Sequence, residues 1–269
     1  MTLQTITLHL DGGRAAPAVN VPPGGDLTGL ANALSLSHFN GAIAVVGGAA
    51  SFDAPEFTAV RQKVRQLFYE LSELAIAYQL VVVDGGTPYG VMRLLGETCA
   101  TFRHQFSLIG VVPSGKVAWN AAQGINWQKT WHIGVNIKKM MEEMEHLSPL
   151  DPNHSAFVLV EANEWGDEVE MLASVAHQLA RPGPTLEVLI NGGEVARRDV
   201  TAYLANGGEV IVVEGTGRFA DELARAIRLG ISPDPEVQAV LNTGRVHLFS
   251  LNDAPRLFKT KMMQLGKWA

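Results

Sequence analysis

One cysteine stands in 269 residues. Cys99 therefore closes no internal disulfide, and its place in an apolar helical run after Gly96 marks a buried structural thiol rather than a nucleophile. Positive charge is also scarce: 21 Lys and Arg stand against 27 Asp and Glu, a formal net charge of −6. No basic face follows from that balance, so direct nucleic-acid binding is not expected. The pair Lys138-Lys139 reads as part of a solvated helix face. No apolar run reaches the ~18–20 residues of a membrane-spanning helix. Met1–Leu10 alternates polar and apolar like a strand, unlike a signal peptide. The expected compartment is cytoplasmic, whether the chain stands alone or was cut from a longer protein. No Cys/His cluster has metal-ligand spacing, so no metal is expected and no cofactor is called for. There is no Gly-x-x-x-x-Gly-Lys-Ser/Thr loop, which Ser114-Gly115-Lys116 resembles only superficially. There is no Gly-x-Ser-x-Gly nucleophile elbow either.

What is abundant is apolar sequence in short runs: 47% of residues are hydrophobic and 18% charged. The runs are Ile43–Val46, Leu80–Val83, Leu108–Val112, Phe157–Val160, Leu186–Ile190, Val210–Val213 and Val246–Phe249. Each is continuous rather than alternating, as strands buried on both faces of a parallel sheet require. Helical patterns separate them. Between Pro55 and Tyr78, Phe57, Val60, Val64, Leu67, Leu71, Leu74 and Tyr78 recur at three and four, one apolar stripe. Ser51 or Asp53 can cap it, and Pro55 suits its first turn. Further helices are predicted over Tyr89–Thr101, Gly134–Glu145, Asp167–Leu179, Glu194–Ala205, Phe219–Leu229, Pro235–Asn242 and Ala254–Leu265. Thr5–Leu10 reads as an edge strand or hairpin arm, and the stretch from Pro113 to His132 as an irregular insertion. The expected fold is α/β, a Rossmann-like, doubly wound, mainly parallel sheet with helices on both faces. One domain over residues 1–269 is expected, since no stretch has linker composition.

In such a sheet the ligand sits beyond the carboxyl ends of the strands. Four strand ends there carry closely spaced glycines: Gly47-Gly48-Ala49, Asp84-Gly85-Gly86-Thr87 with Gly90, Asn191-Gly192-Gly193, and Glu214-Gly215-Thr216-Gly217-Arg218. Glycine lets the backbone approach a ligand, and free N–H groups at a helix start favour an anion. A phosphate or pyrophosphate is the natural occupant. Packing alone also uses glycine in tight turns, and Thr87 and Thr216 also suit a capping role. Arg218 opposes the dipole of the helix it starts, which an anionic ligand would explain. A salt bridge to Glu214 or Asp221 is the other explanation.

Glu161, Asn163, Glu164, Gly166, Asp167 and Glu168 follow a strand at the same edge and offer ribose contacts, acid/base carboxylates or helix caps. Asn153 and His154 precede that strand, at its amino end, where a turn and a hydrogen-bonded structural histidine are the simpler reading. Trp119, Trp127 and Trp131 supply ring faces for a base, or for a lid or oligomer contact.

Several of these segments share a resemblance. Asp84-Gly85-Gly86-Thr87-Pro88-Tyr89-Gly90-Val91-Met92, with Gly96-Glu97, resembles the GGT-x-x-GVM segment in the cytoplasmic N-terminal region of melastatin-type TRP channels. Ile109-Gly110-Val111-Val112-Pro113 is similar to its IG-x-x-P strand, and Leu150–Val160 to its NHSHF-type strand entry. Gly166 and Glu168 match its Gly-x-Glu. Asn191-Gly192-Gly193 and Val213–Asp221 match its GG and G-S/T-GR-x-AD segments. The matches run in order over about residues 43–226. The chain is thereby identified as a member of the SLOG superfamily, in its prokaryotic LSDAT-like (SLOG-in-TRPM) branch.

The resemblance implies a Rossmann-like domain that senses or processes nucleotide-derived ligands, ADP-ribose among them in the channel relatives. Carried over, the ligand-binding set is Gly47, Gly48, Ala49, Gly85, Gly86, Thr87, Gly90, Asn153, His154, Gly192, Gly193, Gly215, Thr216, Gly217 and Arg218. The PGG-x-GT-x-x-E motif of nucleoside-monophosphate-cleaving relatives has no match at Asp84–Gly90. The expected function is therefore binding and sensing of a nucleotide-derived small molecule such as ADP-ribose or NAD. Two alternatives remain open: an N-glycosidase or hydrolase using Glu161, Glu168 or Glu214, and an oligomeric scaffold in which the glycines only pack. A homo-oligomer or an effector partner is compatible with each.

Overall fold

The computed structural model describes residues 3–119 and 146–268. The predicted helix at Gly134–Glu145, Trp127, Trp131 and the Lys138-Lys139 pair lie outside those residues.

Nine strands form one sheet in the order β1-β2-β6-β5-β4-β3-β7-β8-β9. They are β1 (Thr5–His9), β2 (Ala15–Val21), β3 (Gly41–Gly47), β4 (Leu80–Asp84), β5 (Leu108–Pro113), β6 (Ala156–Val160), β7 (Thr185–Ile190), β8 (Glu209–Glu214) and β9 (Val246–Ser250). All neighbours are parallel except β1 and β2. The described helices are α1 (Leu30–Ala33), α2 (Thr58–Ala77), α3 (Gly90–Thr101), α4 (Val169–Ala180), α5 (Glu194–Ala205), α6 (Arg218–Leu229), α7 (Pro235–Asn242) and α8 (Pro255–Gly266).

The continuous apolar runs are continuous because both sheet faces are covered. Along β3, Ala42, Ala44 and Val46 pack into a core with Leu172 and Ala176 of α4, Val200 and Tyr203 of α5, and Leu223 of α6. Ile43 and Val45 pack the other way, against Leu67 and Leu71 of α2, Leu95 of α3 and Phe258 of α8. Each such fully buried aliphatic side chain contributes about 1.5–3 kcal/mol.

Two elements were not foreseen. β2 contains Pro17, an unusual residue for an inner strand. Its pairing to β6 begins only at Ala18, while Pro17 lies opposite Thr7 of β1. The one-turn α1 is too short to declare a period.

From β3 the chain runs to β4, β5 and β6 on one side, then returns to lay β7 against the other side of β3. β3 and β7 therefore flank the topological switch point, beyond whose carboxyl ends a crevice opens.

Candidate functional site

Two concavities open beyond the carboxyl ends of the strands. The larger, of about 560 Å³, is lined by Val45, Val46 and Gly47 of β3 and by two chemically different sets of residues. Ala49, Ala50, Gly85, Thr87, Tyr89 and Met92 come from the loops after β3 and β4 and from the start of α3. Trp165, Glu168, Leu172, Val195 and Asp199 come from α4, α5 and the turn before α4, with Ser148 beside them. The smaller, of about 390 Å³, is lined by Gly192, Gly193, Arg218 and Phe219, with Glu194, Arg197 and Glu222. A third groove, of about 620 Å³, lies between α4, α5 and α7. It holds no glycine loop, and its Arg197 is taken up by Asp234 at 2.5 Å and Glu222 at 2.9 Å.

The predicted ligand residues are thus divided. Gly47, Ala49, Gly85 and Thr87 line the larger cavity, and Gly192, Gly193 and Arg218 the smaller. Gly48, Gly86, Gly90, Asn153, His154, Gly215, Thr216 and Gly217 line neither. Several of these spend their backbone donors inside the protein: Gly48 N on Ile190 O at 3.1 Å, Gly86 N on Asp84 Oδ1 at 2.7 Å, Gly90 N on Asp53 Oδ2 at 2.9 Å, and Gly215 N on Asp221 Oδ1 at 2.6 Å. By contrast, the N–H groups of Ala49, Gly85 and Thr87 find no acceptor among the described residues. All three residues line the larger cavity, where a ligand can use these groups.

Buried Thr216 is a fastener. Its Oγ1 donates to Val213 O at 2.7 Å and accepts from Asn191 N at 2.8 Å, joining the loops after β7 and β8. Asn191 donates from Nδ2 to Thr216 O at 2.7 Å, while its buried Oδ1 has no partner. His154 is a clamp. Its Nε2 meets Asp84 Oδ1 at 2.7 Å and its Nδ1 meets Asp151 Oδ1 at 3.3 Å, with all three side chains buried. Burial opposes charge on the ring, but the Asp84 charge and the hydrogen bonds to Asp151 and Asp84 outweigh it and raise His154 to about 9. The ring is therefore an imidazolium donating from both nitrogens. Although His154 precedes β6, it reaches the carboxyl end of β4, because Asp151 N is anchored on Gly86 O at 2.9 Å.

Arg218 has no carboxylate partner among the described residues. Glu214 is occupied by Arg228 at 2.5 and 2.7 Å, and Asp221 by Gly215. Arg218 instead donates from Nη1 to Ser51 Oγ at 2.7 Å, reaching the segment that follows the β3 loop. Cys99 is buried and pushed up to about 12 by that burial, as a structural thiol should be.

Of the three candidate catalytic carboxylates, Glu168 lines the larger cavity, and Glu161 and Glu214 line none of these three concavities. Glu161 accepts a hydrogen bond from Asn20 Nδ2 at 2.8 Å in an exposed position, and Glu214 is the ion-pair partner of Arg228. Glu168 is 7% exposed and accepts from Gly166 N at 2.7 Å. Burial pushes its carboxyl up against the pull of that hydrogen bond. Beside it stands Asp199, which the sequence reading missed. It is 8% exposed, and burial followed by the Glu168 charge raises it well above the carboxylate range. Behind them Glu187 is fully buried, with both oxygens unpartnered among the described residues, and is raised in the same way by burial and Asp199. The signal was there: Asp199 falls on the Ala196, Val200, Tyr203 stripe of α5, and Glu187 interrupts an apolar strand.

A doubly wound, mainly parallel sheet with glycine loops around a cavity beside its switch point defines a Rossmann-like fold. The X-ray structure of TM1055, a structural genomics target, is similar in fold, with a TM-score of 0.50 at 15% identity over 82% of this chain and 99% of that one. The family described as SLOG in TRPM, prokaryote, matches residues 40–258, and the chain belongs to it. Transient receptor potential cation channel subfamily M member 2 of Rattus norvegicus is 26% identical over 210 residues, and its Mus musculus counterpart is equally so. The match takes in 71% of this chain and 13% of each channel. Among the described residues no helix is long and apolar enough to cross a membrane.

Proposed function

We propose that the protein binds a nucleotide-derived ligand whose phosphate sits against the loops after β3 and β4. The carrying observation is the set of free N–H groups at Ala49, Gly85 and Thr87 lining a cavity of about 560 Å³, a volume suited to a small ligand. Two further features support it. The helix α5, which follows β7, has no side-chain cap, whereas α7, which follows a helix, is capped by Asp234. Uncapped helix starts leave donors and dipole for an anion. Arg218 lies one loop away with its charge unmatched, suited to the second phosphate of ADP-ribose or NAD.

Titration calorimetry with ADP-ribose, NAD and AMP tests the reading. Arg218→Ala should weaken the two pyrophosphate ligands about 10–100-fold, the loss of one charge-assisted contact, and leave AMP less affected. Absence of binding by all three would refute it. The hydrolase reading keeps one specific support, the cavity-lining Glu168, whose carboxyl is pushed up by burial. Release of free base by the wild type, lost in Glu168→Gln, would favour turnover over sensing.

A further inference from the structure

We propose that Asp199 and Glu168 form a subsite for a positively charged group of the ligand, so that the cavity selects a phosphorylated nucleoside with a cationic base. This rests on the nucleotide reading above and assigns the other end of the same ligand. The residues lining the cavity carry opposite chemistries. The Ala49, Gly85 and Thr87 set offers donors, whereas the Glu168 and Asp199 set offers carboxyl oxygens. Phosphate is repelled by the second set and attracted by the first, which orients any bipolar ligand.

Asp199 is the sharper observation. More than nine-tenths buried and lining the cavity, it accepts no hydrogen bond among the described residues. Glu168 accepts from Gly166 N, and the buried Glu187, unpartnered among the described residues, adds its charge from behind when ionised. Arg198, the cation bearing on both Asp199 and Glu168, is exposed to solvent. Among the described residues no protein cation is buried with these acids, and a cationic ligand group would supply the missing charge. An organic cation is favoured over a metal, because no three His, Cys, Asp or Glu among the described residues are gathered to hold an ion. Trp165 and Tyr89 line the same cavity and suit a flat cationic ring. Burial pushes both acids toward their protonated forms, so an arriving cation should favour proton release.

Three probes with a common ribose phosphate make the test: nicotinamide mononucleotide, whose ring is a cation, its reduced form, whose ring is neutral, and ribose 5-phosphate. Calorimetry of the full chain near neutral pH should show the oxidised form binding at least about tenfold tighter than the reduced form. Its enthalpy should vary with buffer ionisation heat, reporting released protons. Asp199→Asn should abolish the preference while ribose 5-phosphate binds as before. Glu168→Gln is the second variant, should the first fold poorly. Equal affinity for the oxidised and reduced forms, alongside binding of ribose 5-phosphate, overturns the cation subsite alone. A preference that survives both substitutions also overturns it. If no probe binds, the nucleotide reading and the subsite fall together.

Discussion

Asp84 ends β4 with Oδ1 shared between Gly86 N and His154, and with its buried Oδ2 on nothing. Its charge is tolerable because the His154 imidazolium stands against it, and the same ring meets Asp151. Removing the ring while keeping both acids leaves buried charge uncompensated, which typically costs about 3–5 kcal/mol. His154→Leu should therefore destabilise by about that amount in urea unfolding. A cost below about 1 kcal/mol would mean that the acids are neutralised some other way. The clamp also shows how a polar motif that looks like a ligand contact can serve the scaffold. It ties the Gly85-Gly86 loop, whose N–H groups line or border the cavity, to the chain entering β6.

The elements that matter most are the βα loops, where two kinds of glycine stand side by side. Gly90 starts α3 at φ +53°, and a Cβ there would come 2.0 Å from Gly48 O. Gly85 has no such demand, since an added Cβ would first meet Met92 Cγ at 3.7 Å. Gly90→Ala should cost at least about 2 kcal/mol of stability. Gly85→Ala should change stability by less than about 1 kcal/mol yet weaken nucleotide binding, because the methyl group enters the cavity. Thermal unfolding and calorimetry of both variants separate packing glycines from ligand glycines, and equal loss of fold in both would sink the distinction. Sequence could not make that separation. Gly47 and Gly48 look alike as letters, but an added Cβ on Gly47 would strike Ile190 O at 1.9 Å, a contact made by a strand some 140 residues later. The strands and helices themselves were legible because both faces of β3–β8 are buried, so their hydrophobicity is continuous. β2 was hidden by Pro17, and the role of Asp199 by the assumption that acids on helices face water. Glu168 was legible from its place after β6, whereas Glu161 and Glu214 shared that promise and were carried elsewhere by neighbours, Asn20 and Arg228.

At the scale of the whole molecule, four buried groups, Glu168, Asp199, Glu187 and His154, push stability the same way with pH. Glu168, Asp199 and Glu187 hold their protons in the fold above the range where an unfolded carboxyl releases them. As pH rises from about 4, the unfolded chain therefore binds fewer protons than the folded one, and stability falls. His154 adds to this in a higher window. Its contribution is fully present below about 6.5, the unfolded value, and is lost as pH rises through about 9. Exposed pairs such as Glu214–Arg228 act in the opposite sense, because their carboxyls are held low, and they lose strength only in acid. Being exposed and screened, they weigh little. Stability should accordingly peak on the acid side of neutrality, near pH 5, and decline steadily to pH 9.5, unlike the broad neutral optimum of an ordinary acidic protein. Glu187→Gln removes one buried acid at nearly constant volume. It should raise the melting temperature by roughly 3–6 °C at pH 8, the equivalent of one to two kcal/mol in a chain of this size, and by much less at pH 4.5. Melting curves of the two proteins across that range decide it. A wild-type optimum at or above pH 8, or a Glu187→Gln gain that is the same at both pH values, would show that these acids are not held protonated inside the fold.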